Sequence, residues 1–390
     1  MQERKIDAPN DLHLRILFFI MQAGNFAGYV SQAYGMDNIF SPVSQAYILI
    51  CVALFAFCVL KHPLEMNRSR LVLLLLAMAV VVAVSSMARN RVGAVQFVIL
   101  LLGYLALPIY LIYTPYLPTR KSMVNQIKIF NLLIALFFVY SFFVRPEYNA
   151  DDALSFGYSN PNRLGIYLVQ NMSILLALAK DKKEKYTRIL FIAICAFETY
   201  LVYLTGARIA LVCVIILWVY FLNSNRAKIG RTTIIIFMVL PIVFLILVMV
   251  IYYFEIIPQD AMLFDKKVFS GRERLYLYVL QSMDLPTWII GNVGQYQFGN
   301  AHNAFLSIIS TTGVLGLLIF YLFFFFAFMD LRECSENNRY KVMPLVGLLL
   351  LFVEGCAESA TLVSGAMYAY GGAQLIYLIY YGHRMIEDEQ

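Results

Sequence analysis

Between Arg231 and Glu255 the chain carries no charged residue, and Ile, Val, Leu, Phe and Met fill most of the positions. In a bilayer such a run can satisfy its own backbone only as a helix, and ~20 residues of it cross the hydrocarbon. Comparable runs recur throughout and predict about twelve spans, at roughly 12–30, 42–60, 70–88, 93–113, 127–144, 163–179, 188–205, 207–222, 232–254, 302–329, 342–360 and 365–382. The first is the weakest, because Arg15, Gln22 and Asn25 interrupt it. With 61% hydrophobic and 14% charged residues, the expectation is an all-α polytopic membrane protein, folded over residues 1–390 as one membrane domain.

Basic residues set the orientation. If the amino terminus is cytoplasmic, Lys61–Arg70, Arg120–Lys128, Lys180–Arg188, Arg226–Arg231 and Arg332–Lys341 all fall on the cytoplasmic side, each with at least three Lys or Arg. Both termini are then cytoplasmic, and the net charge of +6 reflects topology rather than nucleic-acid binding. The opposite side keeps Arg89, Arg91, Arg145, Arg163, Arg208, Lys266, Lys267, Arg272 and Arg274. These oppose the insertion bias, so each needs another reason to be there.

Several classes fall away. The charged amino-terminal stretch lacks a small-residue cleavage site, so no cleavable signal peptide is expected. Cys51, Cys58, Cys195, Cys213, Cys334 and Cys356 fall in spans or a cytoplasmic loop and at no metal-ligand spacing, which predicts neither a disulfide nor a structural zinc. The absence of a Walker-type phosphate loop counts against an ATP-driven pump.

Two outer loops are long enough to build a site. Residues 145–162 crowd turn formers at Gly157, Ser159, Asn160 and Pro161 and predict an ordered rim. Residues 255–301 contain a helix signal, with Ser270 as N-cap and Glu273 completing a capping box, which places Arg272 in the first turn of a helix ending near Pro286. The span that follows is too long, at ~42 Å against ~30 Å of hydrocarbon. Its polar first turns, with His302, Asn303, Ser307, Ser310, Thr311 and Thr312, predict a wet cavity wall.

His302 is the one histidine on that side, and Arg208 opens another span after the tight turn Thr205-Gly206-Ala207. Imidazole and guanidiniums on one face suit a substrate with a phosphate-type leaving group. Arginine binds phosphate oxygens bidentately and stays charged, whereas histidine, ordinarily titrating near ~6.5, can take a proton. Plainer roles exist for each. Arg208 can snorkel, Arg272 and Arg274 can form a solvated face with Glu273, Arg163 can anchor at the interface, His302 can cap a helix, and Arg89 and Arg91 can be structural. Glu198, Glu354 and Glu358 lie within spans, where an ionised carboxylate needs a cation or water, and are expected to orient the outer arginines; rival roles are an ion or proton path and a protonated, hydrogen-bonded structural acid. Tyr148, Phe156, Tyr158, Tyr296 and Phe298 are candidates to stack on sugar rings. The outer loops hold no Asp-x-Asp pair, Asp151-Asp152 being their only adjacent carboxylates, and no metal or other cofactor is expected.

From about 150 to 320, Ser159-Asn160-Pro161-Asn162, Thr205-Gly206-Ala207-Arg208, Gly271-Arg272 and the Gly291-Asn292-Val293-Gly294 run leading to His302-Asn303 stand in order. This arrangement resembles the O-antigen polymerase and O-antigen ligase superfamily, integral-membrane glycosyltransferases of the type-C fold. The resemblance implies an enzyme of the bacterial cytoplasmic membrane that works on its outer face with undecaprenyl diphosphate-linked sugars. It casts Arg208 and Arg272 in diphosphate binding and His302 in activating the acceptor; beside what the resemblance implies, Arg163 is expected to join the diphosphate site, and Arg274, Asn303, Glu198, Glu354 and Glu358 to support it. The expected activity is a polysaccharide polymerase, O-antigen or capsular, that transfers a glycan onto the non-reducing sugar of a lipid-linked repeat with inversion. A flippase and a chain-length regulator are candidate partners. The alternatives are a ligase of the same superfamily acting on lipid A core or another acceptor, a lipid-linked oligosaccharide flippase, and a non-catalytic scaffold.

Overall fold

The expected spans within the described residues coincide with helices, except that the one at 342–360 stops as a helix at Glu354, which leaves Glu358 outside it. The computed structural model describes residues 12–34, 66–88, 94–149, 152–158, 160–181, 184–224, 226–258, 261–263, 266–267, 271–292, 302–358, 362 and 366–387. The helices are α1 (Leu12–Ala33), α2 (Met66–Ala88), α3 (Ala94–Tyr113), α4 (Lys121–Val144), α5 (Pro161–Leu178), α6 (Lys185–Thr205), α7 (Arg208–Asn223), α8 (Arg231–Tyr253), α9 (Arg272–Ser282), α10 (Leu285–Ile290), α11 (Ala304–Glu336), α12 (Met343–Glu354) and α13 (Ala366–Glu387). A short 3-10 turn, Thr114–Tyr116, follows α3, and a two-residue antiparallel hairpin pairs β1 (Met262–Leu263) with β2 (Lys266–Lys267). The expected span 42–60, Arg89, Arg91, Cys51, Cys58, Ser159, Asp151, Tyr296 and Phe298 lie outside the described residues.

Among the described residues, five helices are long and apolar enough to cross a membrane: α4, α6, α8, α11 and most of α2. α8 keeps many of its large apolar side chains exposed, including Ile236, Val243, Ile246 and Leu247, which is the surface that lipid covers. α5 and α12 are the opposite case and are buried nearly all round. They form the centre of the bundle, and α6, α7 and α13 pack around them.

The basic segments gather at one end. There Lys128 pairs with Glu184 at 2.6 Å, Arg339 with Asp181 at 2.9 Å, and Arg384 donates to Pro115 and Thr119. At the other end the chain enters α5, α7, α9 and α11, and the cavity described below opens there.

Four local expectations change. The expected N-cap, Ser270, lies outside the described residues, and the N-cap of α9 is Gly271, in the left-handed region at φ 78°, with no side-chain cap. α4 starts at Lys121 rather than 127, because its basic first turns extend the helix past its apolar part. α11 is a 33-residue helix broken at Gly313 (φ 69°, ψ −175°). A Cβ there would stand 2.2 Å from the Ile289 carbonyl oxygen, so only glycine lets the loop helix α10 lie against the break. The polar first turns of α11 do not form a wet wall either. Ser307, Ser310, Thr311 and Thr312 are buried, and the hydroxyls of Ser310, Thr311 and Thr312 donate to carbonyls three or four residues back. The Ser85 hydroxyl also donates to the Thr311 carbonyl.

Candidate functional site

A cavity of about 690 Å³ lies between the N-terminal ends of α5, α7 and α9, the outer half of α8, His302 and the end of α12. Its size is that of a small-molecule or lipid-headgroup site. Arg208 and Arg272 line it, and each is the first residue of its helix. The N-caps of these two helices, Ala207 and Gly271, make no side-chain cap bond, whereas Asn160 caps α5 by accepting from Asn162 N and Asn303 caps α11 by accepting from Leu306 N. The positive helix ends of α7 and α9 therefore add to their arginines. An anion is what such a cavity attracts.

The turn into α7 follows from its glycines. Gly206 ends α6 at φ 60°, and Ala207 N donates to Thr205 Oγ1 at 3.2 Å. On the facing helix, a Cβ at Gly165 would stand 2.8 Å from the Ala207 Cβ, so glycine permits the close approach that brings Arg208 to the cavity.

Glu358 is the hub of the charged wall. It lies beyond the end of α12, outside the apolar helix, where Glu358 N donates to the Glu354 carbonyl at 2.9 Å. Its Oε1 faces Arg272 Nη2 at 3.5 Å and accepts from Asn160 Nδ2 at 3.3 Å and Asn162 Nδ2 at 3.4 Å, while Oε2 contacts His302 Nδ1 at 3.3 Å. Burial pushes the Glu358 carboxyl up. The His302 hydrogen bond and the charges of His302, Arg272 and Arg163 outweigh that and hold it below its ordinary value.

His302 sits at φ 49°, a left-handed conformation that costs a non-glycine residue about 1 kcal/mol or more. The surroundings fix it there. The buried Tyr276 hydroxyl donates to its carbonyl at 3.2 Å, and Ala304 N donates to the Gly355 carbonyl at 2.8 Å. Asn303 Nδ2 donates to the Pro241 and Cys356 carbonyls, both at 3.2 Å. Burial pushes the Tyr276 phenol up, so it remains a donor. In the tautomer that donates Nδ1–H to Glu358, Nε2 is left as a base.

The structure thus brings together Arg208, Arg272, His302, Glu354 and Glu358, all at the cavity. Arg163 is half-buried in the first turn of α5, where its charge reaches Glu358 without lining the cavity, and Arg274 is exposed on α9. Glu198 does not orient an outer arginine. It is buried on α6, where Asn171 Nδ2 donates to it at 2.6 Å, because its position on that helix faces α5 rather than the cavity end. Nor can two of the aromatics stack on sugars: Phe156 and Tyr158 are buried, with the Tyr158 hydroxyl donating to the Tyr29 carbonyl, while Tyr148 is half exposed.

Asn160, Asn162 and Tyr276 were not singled out as site residues from the sequence. The Asn-Pro-Asn spacing at a helix start signals the cap, but nothing local signals that both amides reach a glutamate near the end of the chain. Compared with protein-family models, with curated proteins and with solved structures, the chain matches none.

Proposed function

We propose that this chain is a twelve-span glycosyltransferase of the bacterial cytoplasmic membrane, a polysaccharide polymerase whose cavity faces outward. The observation that carries the reading is the cavity: two helix N-termini, each beginning with an arginine, line it with a histidine whose Nδ1 meets a buried carboxylate. A sugar on a lipid diphosphate already has a good leaving group. What remains is to stabilise the charge that develops on it and to deprotonate the acceptor.

In this reading Arg208 and Arg272 hold the diphosphate, and the apolar face of α8 with Phe244, Leu247, Val248 and Ile251 takes the first part of the lipid. The acceptor hydroxyl oxygen bonds to the anomeric carbon as the bond from that carbon to the diphosphate oxygen breaks, with inversion. The hydroxyl proton passes to His302 Nε2. Undecaprenyl diphosphate leaves with the bonding pair. Glu358 keeps the imidazole turned to the acceptor and stabilises it once it is charged. The gathering of the basic segments at the end away from the cavity supports an outward-facing site.

The test is reconstitution with purified lipid-linked repeat units. Longer chains with equimolar release of lipid diphosphate are expected; movement of the units across the bilayer without release would make the chain a transporter instead. Cysteine labelling of position 265 from the cytoplasmic side alone would overturn the orientation.

A further inference from the structure

Glu354 carries a buried carboxyl oxygen, Oε2, that no donor among the described residues satisfies. The residue is 1% exposed and lines the cavity together with Glu358. Only its backbone is engaged, its carbonyl accepting from Ala357 N at 3.0 Å and Glu358 N at 2.9 Å. Leaving a buried carboxyl oxygen unsatisfied is costly, on the order of 1–3 kcal/mol and more when charged, so a group kept this way is expected to meet a partner that arrives from outside.

The two glutamates differ in what they have left to offer. Glu358 already serves Arg272, His302, Asn160 and Asn162. Glu354, the last residue of α12, lies about one helical turn, ~6 Å, back along the chain from Glu358 toward the middle of the bundle. The cavity is therefore layered: cations and imidazole with Glu358, an apolar wall on α8, and a carboxyl with free acceptor capacity further in. Rotation about the last side-chain torsion of glutamate is soft and roughly two-fold, so either oxygen can be turned to the cavity at little cost.

We propose that Glu354 is the sugar-recognising residue of this cavity, accepting hydroxyl hydrogens from the sugar attached to the diphosphate. This rests on the reading of Arg208 and Arg272 as the diphosphate grip. A hydroxyl-rich group fits because it supplies donors to a carboxyl without bringing a second charge between the arginines and the floor. A fully ionised diphosphate has no hydrogen to give an accepting oxygen, which places head and sugar in one order along the cavity.

Two probes separate the parts. Farnesyl diphosphate carries a tail and a diphosphate but no sugar, and undecaprenyl diphosphate-linked oligosaccharide extracted from the source cells carries all three. Binding of both is measured on the full chain in nanodiscs, for wild type, Glu354→Ala and Glu354→Gln. The alanine variant is expected to bind farnesyl diphosphate within twofold of wild type and the glycolipid about 10-fold more weakly, the worth of one hydrogen bond. The glutamine variant, which keeps one acceptor oxygen and the shape, falls between and carries the test if alanine does not fold. Equal weakening of both probes, or no weakening of either, overturns the proposal. A wild type that does not retain farnesyl diphosphate, or retains it unchanged after Arg208→Ala and Arg272→Ala, fails at the diphosphate grip instead.

Discussion

Replacing Glu358 with glutamine removes one charge from a group that contacts Arg272, His302, Asn160 and Asn162. All four contacts lie at 3.3–3.5 Å, the long end of hydrogen-bond geometry. Arg272 and His302 are 24% and 27% exposed against 6% for Glu358, so water weakens those two further. Glutamine keeps an oxygen for the asparagines. The net loss should be about 2 kcal/mol, well below the sum of four charged hydrogen bonds. The carboxyl is held below its ordinary value in the folded state, so its contribution is fully present above the unfolded value of ~4.3 and is lost as pH falls through the depressed one. Thermal unfolding of the solubilised protein, followed from neutral pH downward, should therefore show Glu358→Gln several degrees below wild type, with the gap closing only in acid below about pH 4. If the gap persists undiminished in strong acid, or is absent at neutral pH, Glu358 is not the hub described. Turnover by the proposed transferase should fall on the order of 100-fold, through loss of the orientation of His302.

Three further outcomes are expected. Arg208→Lys and Arg272→Lys should each weaken retention of farnesyl diphosphate roughly 10-fold, through loss of the planar fork, while Arg274→Ala leaves it unchanged; an equal effect of all three would reduce the arginines to a diffuse charge. Asn303→Ala should cost about 2–4 kcal/mol by thermal unfolding, from the lost cap and two buried carbonyls left without their donor, and an unchanged midpoint would show that Asn303 does not tie α11 to α8 and the turn after α12. Gly313→Ala forces a side chain to φ 69° and against the Ile289 backbone, so folded yield should drop sharply; wild-type yield and midpoint would mean that α10 does not pack on the break.

The residues that bear charge at helix starts were legible from the sequence. Arg208 after the glycine turn, Arg272 after Gly271 and His302 ahead of a long apolar run are local patterns, and the structure puts all three at one cavity. The three span glutamates were legible only as a class. A carboxylate in an apolar run needs a partner, but Glu358 and Glu198 satisfy that need in unlike ways, one at an ionic hub and the other with a single amide. The hydroxyls of α11 carried a misleading signal, because serine and threonine can spend their hydrogen bonds on their own helix and then bury as readily as small apolar residues.

The sequence by itself determined an all-helical chain, where nearly every described helix lies and which loops carry the excess positive charge, because hydropathy and glycine geometry act over one helix or one turn. Tertiary structure alone decided which helix faces meet. It joined Asn160 and Asn162 to Glu358 across almost two hundred residues, placed Asn303 between two carbonyls from α8 and the turn after α12, and left Glu354 Oε2 without a hydrogen-bond partner among the described residues. An apolar helix is lined with side chains that pack against almost any neighbour, so its pattern does not specify the neighbour. The few polar groups that must be satisfied within the bundle do, and their partners come from distant parts of the chain.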